Sequence, residues 1–208
     1  MDVAFVLYPR MTALDLVGPY EVLAHQPEVT AHFVAASPDP VITDAGLAVV
    51  PTTTFAELDR ADVIVVPGGG GWAEVLADGV VAAWLRDVHP TATWTTSVCS
   101  GSTLLAQAGI LAGRPATTHW ALRDELAALG AVVRTDRVVV DGSVVTGAGV
   151  SAGIDLALTL VGLLWGDERA RFTQLFIEYD PEPPYEVEVP GEPAADLVAF
   201  ARGVFAGR

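Results

Sequence analysis

Lysine is absent from this 208-residue chain; all eleven basic residues are arginine. No side-chain amine can therefore form a Schiff base with a carbonyl substrate or anchor pyridoxal phosphate. Cysteine occurs once, at Cys99. A single thiol excludes an internal disulfide framework and any multi-cysteine zinc site. The four histidines, His25, His32, His89 and His119, show no metal-ligand spacing on a helix face, so no metal centre is expected. Positive charge is scarce too. The net charge of -15 argues against nucleic acid or an anionic membrane as a partner, and reads most simply as solubility. The first five residues, Met1 to Phe5, show neither the basic region nor the apolar stretch of a secretory signal. The longest apolar run, Ile154 to Trp165, is interrupted by Asp155 and is too short to span a bilayer. A cytoplasmic location is the default expectation.

What is present is apolar: 51% of residues are hydrophobic and 18% charged, enough for one domain with a full core. Val3 to Tyr8 reads as a strand buried on both faces, and Thr12 to Ala24 as a turn and helix. His32 to Ala36 and Asp62 to Val66 read as further strands. Asp44-Ala-Gly46 between apolar pieces suggests a hairpin over 42–50. Helical patterns cover Trp72–Leu76, Val80–Val88 and Leu122–Leu129, the last with Gly130 as a C-cap. Arg137–Val140 and Val144–Thr146 flank Asp141-Gly142, a strong hairpin signal. Ser151 is placed to cap a long apolar helix, and another helix ends near Phe176. Strands alternating with helices predict an α/β domain with a largely parallel central sheet. The acidic, proline-rich segment 180–194 breaks the pattern. A terminal helix over 195–206 follows, docking on the body or on a partner.

Cys99 follows the β-type run Thr91–Val98 and precedes Ser100-Gly101-Ser102 and a helical run. A thiol on a strand-turn-helix elbow projects from the sheet beside unpaired helix N–H groups, which stabilise a thiolate. A buried cysteine acting as a small hydrophobe is the plainer alternative; the elbow context favours the nucleophile. Ligands of parallel sheets sit beyond the carboxyl ends of the strands. Pro67-Gly-Gly-Gly-Gly71, Val98-Cys99-Ser100 and Thr146-Gly147-Ala148-Gly149 all fall at such ends. The glycine run lacks the lysine of a phosphate loop. An amide of Gly69 or Gly70, with that of Ser100, could instead meet negative charge developing beside the sulfur. Asp15, flanked by leucines after a buried strand, is either a helix-start carboxylate or a carboxyl held near Cys99. In the second case the two groups cannot both ionise easily and would share a proton. His119, at a helix start, either lines the pocket or caps and packs. Asp155 reads as structural.

Six segments together resemble the ThiJ/PfpI superfamily, and its isonitrile hydratase branch in particular: Leu14–Leu23, Val66-Pro-Gly-Gly69, Ser97-Val-Cys-Ser-Gly101, Ala116-Thr-Thr-His-Trp120, Thr146–Asp155 and Ile177-Glu-Tyr-Asp-Pro181. The resemblance runs in order from about Val3 to Tyr185. It implies a flavodoxin-like three-layer sandwich over 1–208, a homodimer, and no metal or organic cofactor. It implies Cys99 as nucleophile at the elbow and Asp15 as its proton shuttle, with Ser100 where the branch typically has threonine. Gly69, Gly70, His119, Thr146 and Gly147 would line the pocket. The implied reaction adds water to an isonitrile to give an N-substituted formamide. Relatives acting on reactive carbonyls place histidine directly after the cysteine; here that position is Ser100. A glyoxalase-like or hydrolytic activity and a non-catalytic, redox-sensing role of Cys99 are the alternatives.

Overall fold

The computed structural model of the chain describes residues 1–185 and 195–206. Its centre is a seven-stranded sheet ordered β10-β11-β7-β6-β1-β2-β5. The strands are β1 (Asp2–Val6), β2 (Thr30–Ala35), β5 (Thr53–Thr54), β6 (Val63–Val66), β7 (Trp94–Val98), β10 (Val138–Asp141) and β11 (Val144–Gly147). All neighbours pair in parallel except β10 and β11, the hairpin expected at Asp141-Gly142. Two small ladders lie outside it: β3 (Val41–Ile42) with β4 (Ala48–Val49), and β8 (Pro115–Ala116) with β9 (Val132–Val133). The first is the hairpin around Asp44. The two-residue strands β5, β8 and β9 have no counterpart in the sequence reading, because two residues carry no alternation to detect.

Helices cover both faces, giving the flavodoxin-like three-layer sandwich. α1 (Ala13–Ala24), α6 (Ala152–Trp165) and α7 (Asp167–Phe176) pack together on one side. α2 (Trp72–Asp78), α3 (Val80–Val88), α4 (Gly101–Gln107) and α5 (Arg123–Ala128) pack together on the other. β1, β6 and β7 form the middle of the sheet, and Val3 to Val6 and Val63 to Val66 are wholly buried, as a strand covered on both faces requires. β7 starts three residues later than the sequence suggested, because Pro90 draws His89–Thr91 into a 3-10 turn. Ser151 precedes α6 as expected, but its side chain makes no cap; it accepts a hydrogen bond from Arg137 Nη2 instead (3.2 Å). Asp155 is structural. It takes Arg137 Nε at 2.8 Å and the Tyr179 hydroxyl at 3.0 Å, tying α6 to β10 and to the chain beyond α7.

Of segment 180–194, residues 186–194 lie outside the described residues. The terminal helix α8 (Ala195–Ala206) is present, with the Arg202 guanidinium 5.6 Å from the centre of the Trp120 ring. No described helix is long and apolar enough to cross a membrane.

Candidate active site

β7 delivers Cys99 at the carboxyl edge of the sheet, between β6 and β11. Its φ is 57°, in the left-handed region that costs a residue with a Cβ about 1–2 kcal/mol. The elbow is held from several sides. The Cys99 amide donates to the carbonyls of Ala148 (2.7 Å) and Gly147 (3.2 Å). Its carbonyl accepts from Thr118 Oγ1 (2.9 Å) and Ser102 Oγ (3.2 Å). Gly68 makes the fit possible. A Cβ on Gly68 would stand 2.5 Å from the Ser100 nitrogen and 2.8 Å from Cys99 Cβ, closer than side chains ever approach. The glycine run after β6 thus serves close packing of backbone against the elbow.

Asp15 arrives from the first turn of α1 and is completely buried. Its Oδ2 accepts the Gly68 amide at 2.9 Å. Oδ1 makes no directed hydrogen bond among the described residues, while the carboxyl and the Cys99 thiol interact directly. Because the Gly68 N–H can only donate, the proton of the neutral acid belongs on Oδ1. Burial pushes Asp15 up to about 7; the Gly68 and Cys99 hydrogen bonds oppose the rise, and the negative charge of Asp44 adds to it. Asp44 stands on the β3–β4 turn and accepts the Thr12 hydroxyl at 2.6 Å.

The thiol moves the same way. Burial, and then the Asp15 charge, push Cys99 well above the ordinary thiol range, although the Ser100 amide favours its anion. The expectation of a thiolate stabilised at the helix start therefore meets a larger opposing effect: Cys99 is 1% exposed, and desolvation outweighs one N–H. In the Asp15–Cys99 pair each group's negative charge opposes ionisation of the other, so the two titrations are coupled.

Ser100 is fully buried directly after the thiol. Its Oγ accepts the Gly69 amide at 2.9 Å and donates to the Gly69 carbonyl at 3.3 Å. The Gly69 amide is thereby engaged. Gly69 also faces Met11 in an isolated antiparallel bridge, so the glycine run is held against the chain after β1 as well as against the elbow. Thr146 pairs with Ser97, one row below the elbow, and its Oγ1 accepts the Thr117 amide at 2.9 Å. Gly147 contributes the carbonyl that orients Cys99. His119 caps a 3-10 turn, its Nδ1 accepting the Ala121 amide at 3.3 Å, and burial with the nearby Arg123 charge lowers it to about 4. It is a neutral imidazole, beside Gly149.

Tyr8 was missed. It follows β1, is buried, and donates its hydroxyl to the Pro67 carbonyl at 2.9 Å. Burial, and after it the charges of Asp15 and Cys99, push its phenol well above the ordinary range, while a hydrogen bond with Ser100 opposes the rise. A tyrosine closing an apolar strand looks like core in a sequence; only its place at a strand's carboxyl end hinted otherwise.

An open groove of about 640 Å³ lined by His25, Trp165, Arg169, Phe172 and Phe176 lies elsewhere and includes none of these groups. The buried ionisable groups Tyr8, Asp15 and Cys99 gather where β1, β6 and β7 end side by side.

A parallel α/β sandwich with a strained cysteine elbow and a buried carboxyl beside the thiol defines a class of cysteine-elbow proteins. Sequence comparison makes it specific: the chain belongs to the DJ-1/PfpI family, whose model matches residues 1–163. It is 44% identical over 202 residues to an isonitrile hydratase of Pseudomonas putida, covering 97% of this chain and 89% of that one. A ThiJ/PfpI family protein from Pseudomonas syringae of known crystal structure superimposes with a TM-score of 0.92 at 41% identity, over 98% of this chain and 85% of that one. An HTH-type transcriptional regulator of Pseudomonas aeruginosa, CdhR, is 29% identical over 178 residues, 81% of this chain but only 52% of the regulator.

Proposed function

We propose that this chain hydrates isonitriles, R–N≡C, to N-substituted formamides, with Cys99 as nucleophile and Asp15 as proton shuttle. The observation that carries the reading is the buried Cys99–Asp15 pair, one carboxyl poised near pH 7 against one protonated thiol. The likeness to the Pseudomonas putida isonitrile hydratase supports it. So does Ser100, which occupies the position where a carbonyl-directed relative would carry histidine.

The chain's own groups carry each step. The Asp15 carboxylate takes the Cys99 proton and delivers it to the terminal isonitrile carbon as the sulfur attacks that carbon. One S–C and one C–H bond form, and the triple bond becomes double, giving a thioimidate R–N=CH–S on Cys99. Asp15, again a carboxylate, takes a proton from water as the water oxygen adds to the same carbon and passes it to the nitrogen, leaving R–NH–CH(OH)–S on Cys99. The hydroxyl proton then passes by way of Asp15 to the sulfur as the C–S bond breaks, releasing R–NH–CHO and the Cys99 thiol. The Ser100 and Gly70 amides would face the charge that gathers during addition. Gly69, Thr146, Gly147 and His119 shape the pocket around it.

A redox-sensing role needs an accessible, easily ionised thiol. Cys99 is enclosed and hard to ionise, which favours catalysis on a small molecule that enters the site. In this reading residues 1–208 work as one domain, in a cytoplasmic homodimer that binds neither nucleic acid nor membrane. Apolar side chains left exposed on α1, α6 and α7, among them Leu14, Val17, Leu163, Phe172, Leu175 and Phe176, fit a buried face between copies.

Incubation of the purified chain with a simple alkyl isonitrile, followed by mass spectrometry of the small molecules, tests the reading. The corresponding formamide should accumulate over many turnovers. Recovery of the isonitrile at the rate of a protein-free control would overturn it.

A further inference from the structure

The peptide joining Pro67 to Gly68 is held at both ends by side chains distant in sequence. Its carbonyl accepts the Tyr8 hydroxyl at 2.9 Å, and its N–H donates to Asp15 Oδ2 at 2.9 Å. The elbow closes on the same plane: a Cβ on Gly101 would stand 2.8 Å from the Pro67 carbonyl oxygen, and one on Gly68 would strike Ser100. We propose that Tyr8 is a positioning residue that sets the proton affinity of Asp15 through this single peptide group. A hydrogen bond received at a peptide oxygen withdraws electron density from the nitrogen and strengthens the N–H as a donor. It also fixes the rotation of the plane, so that the N–H keeps aiming at the carboxylate.

The direction follows from which form the bond favours. The Gly68 N–H stabilises the Asp15 anion and holds its affinity for a proton down against burial. Removing the Tyr8 hydroxyl weakens that donor, and Asp15 should bind its proton more tightly. The other groups facing Asp15 are Cys99 on the elbow, Asp44 on the β3–β4 turn and the Tyr8 phenol itself. None of them is a cation, and the one further contact that the change at Tyr8 removes is to the neutral Ser100 hydroxyl. Tyr8 itself stays neutral throughout, since burial and its anionic neighbours oppose its ionisation. Its contribution is a directed hydrogen bond and not a charge. The tuning is independent of substrate; its bearing on catalysis rests on the proton-shuttle role proposed for Asp15.

The test is a titration of the Asp15 carboxyl carbon by NMR in aspartate-labelled protein, free of substrate. Tyr8→Phe keeps the ring and removes only the donor. Its Asp15 titration should move upward by about half a pH unit relative to the parent chain. Placing 3-fluorotyrosine at position 8 makes a stronger donor and should move the titration downward. A drier site would raise the value in both proteins and a loosened, wetter one would lower it in both, so neither produces shifts of opposite sign. An unchanged titration in Tyr8→Phe with an intact near-ultraviolet circular dichroism spectrum would overturn the proposal, as would shifts of the same sign in both proteins. Opposite shifts in a chain that leaves isonitriles untouched would support the role of Tyr8 and count against the proposed reaction.

Discussion

Burial of Asp15 has a consequence for stability. Its value in the folded chain, about 7, stands well above the ordinary 3.8. The folded state therefore binds this proton more tightly than the unfolded state does. The resulting stabilisation is complete below about pH 4 and is lost as the pH rises toward 7. Asparagine has no such proton to lose. Denaturant unfolding should accordingly show Asp15→Asn gaining about 2–3 kcal/mol relative to the parent chain between pH 5 and pH 8. An equal difference at both pH values would mean that Asp15 is not held protonated by burial. The same substitution should slow turnover at least about 100-fold, the usual cost of losing a positioned acid or base. Ser100→Thr retains the oxygen that receives the Gly69 amide. It should keep activity and shift preference among isonitriles of different size; complete loss in a steady-state assay would show that the pocket has no room for a methyl group.

The elbow depends on elements meeting more closely than side chains allow. Gly68, at the end of β6, lies against both Cys99 and Ser100. Gly68→Ala should lose activity and lower the melting temperature, whereas Gly46→Ala, in an open turn with a φ of 90°, should leave activity intact. Equal activity in both variants by the formamide assay would contradict the packing described. Much of this architecture was legible in the chain. The apolar runs of β1 and β6 marked buried strands, the Asp141-Gly142 turn marked the β10–β11 hairpin, and the residues around Cys99 marked the elbow. The links across the site were not legible. The Gly68–Asp15 bond spans 53 residues and the Tyr8–Pro67 bond 59. Neither leaves a periodic signal, because each exists only once neighbouring strands have brought their carboxyl ends together. The thiol's own proton affinity was also hidden: the helix start beside it is visible in sequence, but the degree of burial that outweighs it is not.

For the whole molecule, net charge and exposed apolar surface set the expected behaviour in solution. A charge of -15 repels phosphate backbones, and the chain should pass through immobilised DNA at moderate salt without retention. Size-exclusion chromatography with light scattering should report about twice the 21.7 kDa chain mass over a wide concentration range, as a closed two-fold interface predicts. A stable monomer would leave the apolar residues of α1, α6 and α7 without the partner assigned to them. The proposed reaction turns on a bond to sulfur. Rapid mixing with an alkyl isonitrile, acid quenching and intact-protein mass spectrometry would read it directly. The account predicts a transient species heavier by one isonitrile molecule, localised by peptide mapping to Cys99, formed before formamide appears and absent with its product in Cys99→Ala. Formamide production by Cys99→Ala at the parent rate would contradict it.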